Sequence, residues 1–171
     1  MSGAIVWFTG LPSSGKSRLA RRVQTNLFEK QLPCCLLDGD RVRALLRPAP
    51  GYSNAERDDF YFTLGGLALE LSRQGLIVLV PATANRKQYR DWVRARAPHF
   101  IEVWLTASAK ECRRRDAKGL YARAGDGEVR GLPGADLAYD APEAAEITAT
   151  GGDDDDALVR IVQAVEASRA V

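Results

Sequence analysis

Gly10-Leu11-Pro12-Ser13-Ser14-Gly15-Lys16-Ser17 fits the spacing G-x-x-x-x-G-K-[ST], and few folds are open to a chain that carries it. The run follows an apolar stretch, Ala4 to Thr9, and opens a helical pattern at Lys16, so it reads as a strand, loop and helix wrapped around a phosphate. Glycines let the backbone close on phosphate oxygens, and amides at the start of the helix offer donors and the positive end of its dipole. Gly10, Ser13, Ser14, Gly15, Lys16, Ser17 and Arg18 are the expected contacts to the phosphates of ATP. Lys16 is expected to act catalytically on the β and γ phosphates, and Ser17 to place its hydroxyl on Mg²⁺, the cofactor expected beside ATP as co-substrate.

The rest of the chain repeats the strand-then-helix rhythm. Short apolar runs at Ala4 to Thr9, Cys34 to Leu37, Leu76 to Val80 and Phe100 to Leu105 read as strands covered on both faces. Helical patterns fall at Lys16 to Lys30, Asn54 to Gln74, Arg86 to Ala97, Ala107 to Arg115 and Asp155 to Ala170. The expected class is α/β, a P-loop kinase fold with a parallel β-sheet covered by helices on both faces. With 171 residues, 46% of them hydrophobic, the chain has the size of a single domain over residues 1–171. Asp116 to Asp140 breaks the rhythm with five glycines among charged residues, the composition of a lid that closes over a phosphate site. Asp153-Asp154-Asp155-Asp156 stands just before the last helix, where carboxylates complement the dipole.

Charge and cysteine content exclude several classes. Twenty-four basic residues against 22 acidic ones leave a net charge of +2, so no surface field calls for a nucleic acid or a membrane. No apolar run approaches the ~18 residues needed to span a bilayer, and no basic leader precedes Ala4. Cys34, Cys35 and Cys112 are odd in number and read as small buried hydrophobes, which suits a reducing cytoplasm.

The phosphate loop alone does not separate a kinase from a GTPase, an ATPase or a nucleotide-binding non-enzyme. No N-K-x-D guanine-reading motif is present, which favours a kinase. The second strand ends in Leu37-Asp38-Gly39-Asp40, followed by Arg41-Val42-Arg43. Ligands of open α/β sheets collect at strand carboxyl ends, so these carboxylates belong near the loop. There a carboxylate can take the proton of an acceptor hydroxyl or hold the water shell of Mg²⁺, with Asp38 a second candidate for that shell. The alternative for one of the pair is to cap the next helix.

Taken together the motifs resemble the adenylylsulfate kinase family over nearly the whole chain. The resemblance rests on Gly10 to Ser17, Leu37-Asp38-Gly39-Asp40 with Arg43, Tyr52-Ser53 with Arg57, Gly75 to Val80, Phe100 to Val103, Arg115 to Tyr121, and Tyr139 to Glu143. It implies transfer of the γ-phosphoryl group of ATP to the 3'-hydroxyl of adenylylsulfate in sulfate assimilation. It also implies that Asp40 contacts the acceptor hydroxyl, that Arg43 and Arg57 hold its anionic groups, that Tyr52 stacks on its base, and that Lys118 sits in the lid. Asp38, Thr83 and Leu132 complete the acceptor set carried over from the family. The expected partners are ATP and a small nucleotide-like substrate, adenylylsulfate on this resemblance, with no nucleic acid, no membrane and a homodimer left open.

The departures cluster on the acceptor side. After the arginine matched by Arg57 the family has an asparagine and a pair of arginines one turn on, where this chain reads Asp59-Phe60-Tyr61-Phe62-Thr63. The family aromatic expected over the acceptor's base corresponds to Leu132, and its serine-proline-tyrosine stretch to Thr83-Ala84-Asn85. Two readings stay open: Phe60 and Phe62 turn into the core and other groups bind adenylylsulfate, or the pocket serves a different nucleotide-like acceptor.

Overall fold

The computed structural model describes residues 3–169. In chain order its elements are β1 (Ala4–Thr9), α1 (Lys16–Glu29), β2 (Cys34–Leu36), α2 (Gly39–Leu45), α3 (Asn54–Arg73) and β3 (Ile77–Pro81). There follow α4 (Lys87–Arg94), β4 (Phe100–Leu105), α5 (Ala109–Arg115), α6 (Leu120–Gly125), β5 (Ile147–Ala149) and α7 (Asp155–Arg169).

Strand alternation divides the apolar residues between two cores. Val6 and Phe8 of β1 point to one face with Leu79 and Val103, where Leu19, Val23 and Leu27 of α1 and Ile161 and Val165 of α7 cover them. Ile5 and Trp7 point to the other, with Val78 and Val80, beneath Leu64 and Ala68 of α3 and Tyr89 and Val93 of α4. Every residue of β1 is therefore buried, which is why its sequence is apolar without alternation. The strands form one parallel sheet in the order β2-β3-β1-β4-β5, with β1 central between β3 and β4. The expected α/β class and the helices on both faces are present.

The boundaries differ from the sequence expectation for local reasons. Helix α4 stops at Arg94 instead of Ala97, because Pro98 disfavours helical geometry in the residue before it. Helix α5 starts at Ala109 because Ser108 and Glu111 form a capping box there. Strand β2 ends at Leu36, β3 is shifted to 77–81, and the expected end of the last helix at Ala170 lies outside the described residues. Three elements had no counterpart in the sequence reading. α2 and α6 are under two turns long, and β5 has three residues held by pairing with β4.

A buried ion network locks α4 to the sheet. The Arg90 side chain, 1% exposed, donates from Nε to Glu102 Oε1 at 2.7 Å and from Nη2 to the Asp140 carbonyl at 2.6 Å, and its Nη1 reaches the Ala84 carbonyl. Arg94 bridges Glu102 to Glu146, whose carboxylate also accepts from the Glu102 amide. Removing one member of a buried pair leaves an uncompensated charge and costs about 3–5 kcal/mol. Arg90→Ala should lower stability towards that range in a urea titration; a loss under about 1 kcal/mol would mean that Arg94 satisfies Glu102 alone.

Candidate active site

The carboxyl ends of β1, β2 and β3 open onto a cavity of about 860 Å³, in the size range of small-molecule sites. The loop between β1 and α1 forms one end. Gly10 (φ 152°) and Gly15 (φ 101°) hold backbone conformations that favour glycine, and a Cβ on Gly15 would stand 2.5 Å from the Gly152 nitrogen. The Ser13 and Ser14 hydroxyls are buried without a hydrogen-bond partner. Ser13 lines the cavity, whereas Ser14 and Gly10 lie behind its surface. Lys16 folds over its own loop, with Nζ donating to the Gly10 carbonyl at 2.9 Å and the Leu11 carbonyl at 2.8 Å. Burial lowers its pKa to about 8, opposed in part by the negative charge of Asp40.

Asp38 and Asp40 have different places. The Ser17 hydroxyl donates to Asp38 Oδ2 at 2.6 Å, and Asp38 Oδ1 accepts from the Asp40 amide as the N-cap of α2. Asp38 is therefore buried behind Ser17 and does not line the cavity with the other expected acceptor residues, because both its oxygens are engaged. Asp40 is exposed in the cavity, where the Lys118 ammonium pairs with its carboxylate.

Arg43, Tyr52, Arg57, Thr83 and Leu132 all line the cavity. Arg57 is buried; its Nε donates to the Tyr52 carbonyl at 2.9 Å and its Nη2 reaches the Gly131 carbonyl. The Thr83 carbonyl accepts from the Thr9 hydroxyl at 2.6 Å, and Leu132 packs with Ala107, Cys112 and Tyr121. The aromatic run divides: Phe60 and Tyr61 form cavity wall, while Phe62 turns away, edge-on to Tyr89 and Trp92. Neither sequence alternative describes it fully, since successive helix residues point in different directions.

Sequence reasoning did not place three groups that the fold brings to the same cavity. Arg115 lies at the end of α5, with Nη1 3.4 Å from the Ser14 carbonyl. The turn at Thr150, Gly151 and Gly152 is the second; its Gly152 nitrogen leaves no room for a Cβ on Gly15, and a Cβ on Gly152 would stand 2.8 Å from that of Arg18. Arg123 and Arg130, within 116–140, are the third. The glycine pair ahead of the aspartate run was the one local signal. In that run Asp154 accepts from the Ala157 amide and so caps α7, while Asp153 and Asp155 pair with Arg18 and Arg22. Within 116–140 itself, Asp116 accepts from the Tyr121 and Ala122 amides, and Arg90 holds the Asp140 carbonyl.

Among the described residues no group of three or more His, Cys, Asp or Glu could hold a metal. Ser17 backed by Asp38, with Asp40 nearby, instead suits a cation that takes most of its ligands from phosphates and water, as Mg²⁺ does.

A parallel sheet of this order, a phosphate loop after its central strand and an acidic strand end across the cavity define a P-loop phosphotransferase that acts on a hydroxyl group. The family model described as adenylylsulphate kinase matches residues 2–150, and the chain belongs to that family. It is 41% identical over 145 residues to the adenylyl-sulfate kinase of Synechococcus sp. (strain JA-3-3Ab), covering 85% of this chain and 82% of that one. Against the probable bifunctional SAT/APS kinase 2 of Sorangium cellulosum it is 37% identical over 168 residues, spanning 97% of this chain but 29% of that protein. The solved structure of the Mycobacterium tuberculosis APS kinase CysC in complex with AMPPNP and APS superposes with a TM-score of 0.89 at 36% identity, over 96% of this chain and 98% of that one.

Proposed function

We propose that this chain transfers the γ-phosphoryl group of ATP to the 3'-hydroxyl of adenylylsulfate, releasing ADP and 3'-phosphoadenylylsulfate. The observation that carries the reading is Asp40 and Lys16 facing one cavity, close enough for the charge of one to act on the other, with Tyr52 and Arg57 in the same lining. The M. tuberculosis relative, solved with AMPPNP and APS, supports a site that takes both nucleotide and acceptor.

ATP lies with its β and γ phosphates in the loop at Gly10 to Ser17. The unpartnered Ser13 hydroxyl faces the phosphate oxygens, and Lys16 exchanges its two backbone carbonyls for them. Arg115 and the turn at 150–152 hold the adenine side of the nucleotide. The Ser17 hydroxyl, with Asp38 behind it, would hold Mg²⁺, which would offset charge developing on the phosphate oxygens. Asp40 orients the acceptor hydroxyl and takes its proton as the oxygen attacks phosphorus and the bond to the ADP oxygen breaks. Arg57 and Arg43 face the acceptor's anionic groups, and Tyr52, 61% exposed, offers its ring to the base. Thr83 and Leu132 close the walls.

Residues 116–140 act as the lid. They reach the mouth through Lys118 on Asp40 and Gly131 on Arg57, and closure excludes the water that would otherwise hydrolyse ATP. A different nucleotide-like acceptor is the second reading, favoured by Phe60 and Tyr61 in the wall. ADP release with Mg²⁺ and ATP, with and without adenylylsulfate, separates the two. The proposal expects stimulation by adenylylsulfate and a 3'-phosphorylated product by mass; ATP binding without that stimulation would exclude adenylylsulfate as acceptor.

A further inference from the structure

Tyr52 is the most exposed ring on the cavity wall, and an exposed tyrosine on a loop is a poor platform unless something holds it. Two guanidinium groups hold it: Arg57, on its carbonyl and 5.2 Å from its ring centroid, and, closer to the ring, Arg43. The Arg43 carbon Cζ lies over both rings, 4.5 Å from the Tyr52 centroid and 3.9 Å from that of Phe60. Its Nη1 donates to the Gly51 carbonyl at 2.7 Å and the Pro50 carbonyl at 3.2 Å, the two residues before Tyr52. Phe60 is 3% exposed and meets Tyr61 edge-on at 5.2 Å, and Tyr61 stacks on Tyr89 at 4.7 Å. An unbroken column thus runs from the core through Phe60 and Arg43 to the exposed ring.

We propose that Phe60 is a positioning residue for acceptor binding, fixing the Tyr52 platform through Arg43. The inference rests on the reading of Tyr52 as the acceptor's stacking face. Arg43 has contacts to two rings and one nitrogen committed to protein, so it is a spacer in the column as well as a cation. Guanidinium is planar and weakly hydrated, and stacks between rings where an ammonium would not. With an aliphatic side chain at position 60, Arg43 loses one of its two rings, the segment at 46–53 loosens, and the acceptor has to order the platform as it binds.

The test compares the wild type with Phe60→Leu, which keeps apolar bulk, and Phe60→Tyr, which keeps the aromatic face. Phe60→Leu should raise KM for adenylylsulfate about tenfold while kcat and KM for ATP stay within about twofold, and Phe60→Tyr should restore KM. In a Tyr52→Ala background the Phe60→Leu effect on KM should vanish, since both residues act along one column. Hydrogen exchange over 46–53, followed without substrate, should speed up in Phe60→Leu with β1 as an unchanged internal control. Unchanged exchange over 46–53 overturns the column, and a KM rise that persists without Tyr52 overturns positioning in favour of direct contact. If the wild type ignores adenylylsulfate, the proposed function fails while the exchange comparison still judges the role of Phe60.

Discussion

Asp40→Asn should lower kcat by about 10²- to 10⁴-fold, the usual contribution of a positioned general base, while leaving ATP affinity nearly intact. The amide keeps the size and hydrogen-bonding reach of the carboxylate but does not accept a proton, so it isolates the chemistry from the shape. The side chain starts from a defined place, because its own backbone amide is tied to the Asp38 carboxylate. Its ion pair with Lys118 joins groups that are 67% and 58% exposed, and such pairs add little to stability, so the variant should melt near the wild type. Initial rates of ADP formation at saturating adenylylsulfate, beside an ATP titration, make the measurement. A kcat within about threefold of wild type would remove Asp40 from the proton path.

Lys16→Ala should cost about 10²- to 10³-fold in kcat, the range for removing one preorganised donor from a developing negative charge, and should weaken ATP binding as well. A pH signature goes with it. Burial holds the Lys16 pKa down to about 8, whereas the phosphates of ATP favour its charged form. ATP binding above about pH 8 should therefore take up a proton, and affinity should fall as pH rises through that region. Calorimetry in buffers of different ionisation heat detects the uptake, which should be missing in Lys16→Ala. The linkage to folding has the opposite sign to that of an ion-paired lysine. The charged, desolvated ammonium destabilises the free enzyme fully below about pH 8, and this is relieved as pH climbs towards the ordinary value of 10.5. An identical proton balance in wild type and variant would show that Lys16 stays charged throughout.

The phosphate end was readable because its chemistry is contiguous. Eight successive residues carry the glycines, the lysine and the hydroxyl, and the largely apolar strand before them and the helix after them identify the sheet that presents them. The acceptor end was legible only as a set of residue types. Arg43, Tyr52, Arg57, Thr83, Lys118 and Leu132 are dispersed over ninety positions, and the family resemblance, not any local spacing, put them together. Asp38 shows the limit of that approach: it stands two residues from Asp40, yet capping α2 and accepting from Ser17 turn it away from the cavity.

The positions of β1 to β4, the parallel α/β class and the phosphate loop follow from the order of residues, because burial on two faces and close approach to an anion each demand particular side chains at fixed local spacing. The roles of Phe60 and Phe62, the column through Arg43, the pairing of Lys118 with Asp40 and the packing of Gly15 against Gly152 were settled by the folded chain. Each depends on segments far apart in sequence meeting at an angle set by helix and sheet packing, and no local pattern records that angle.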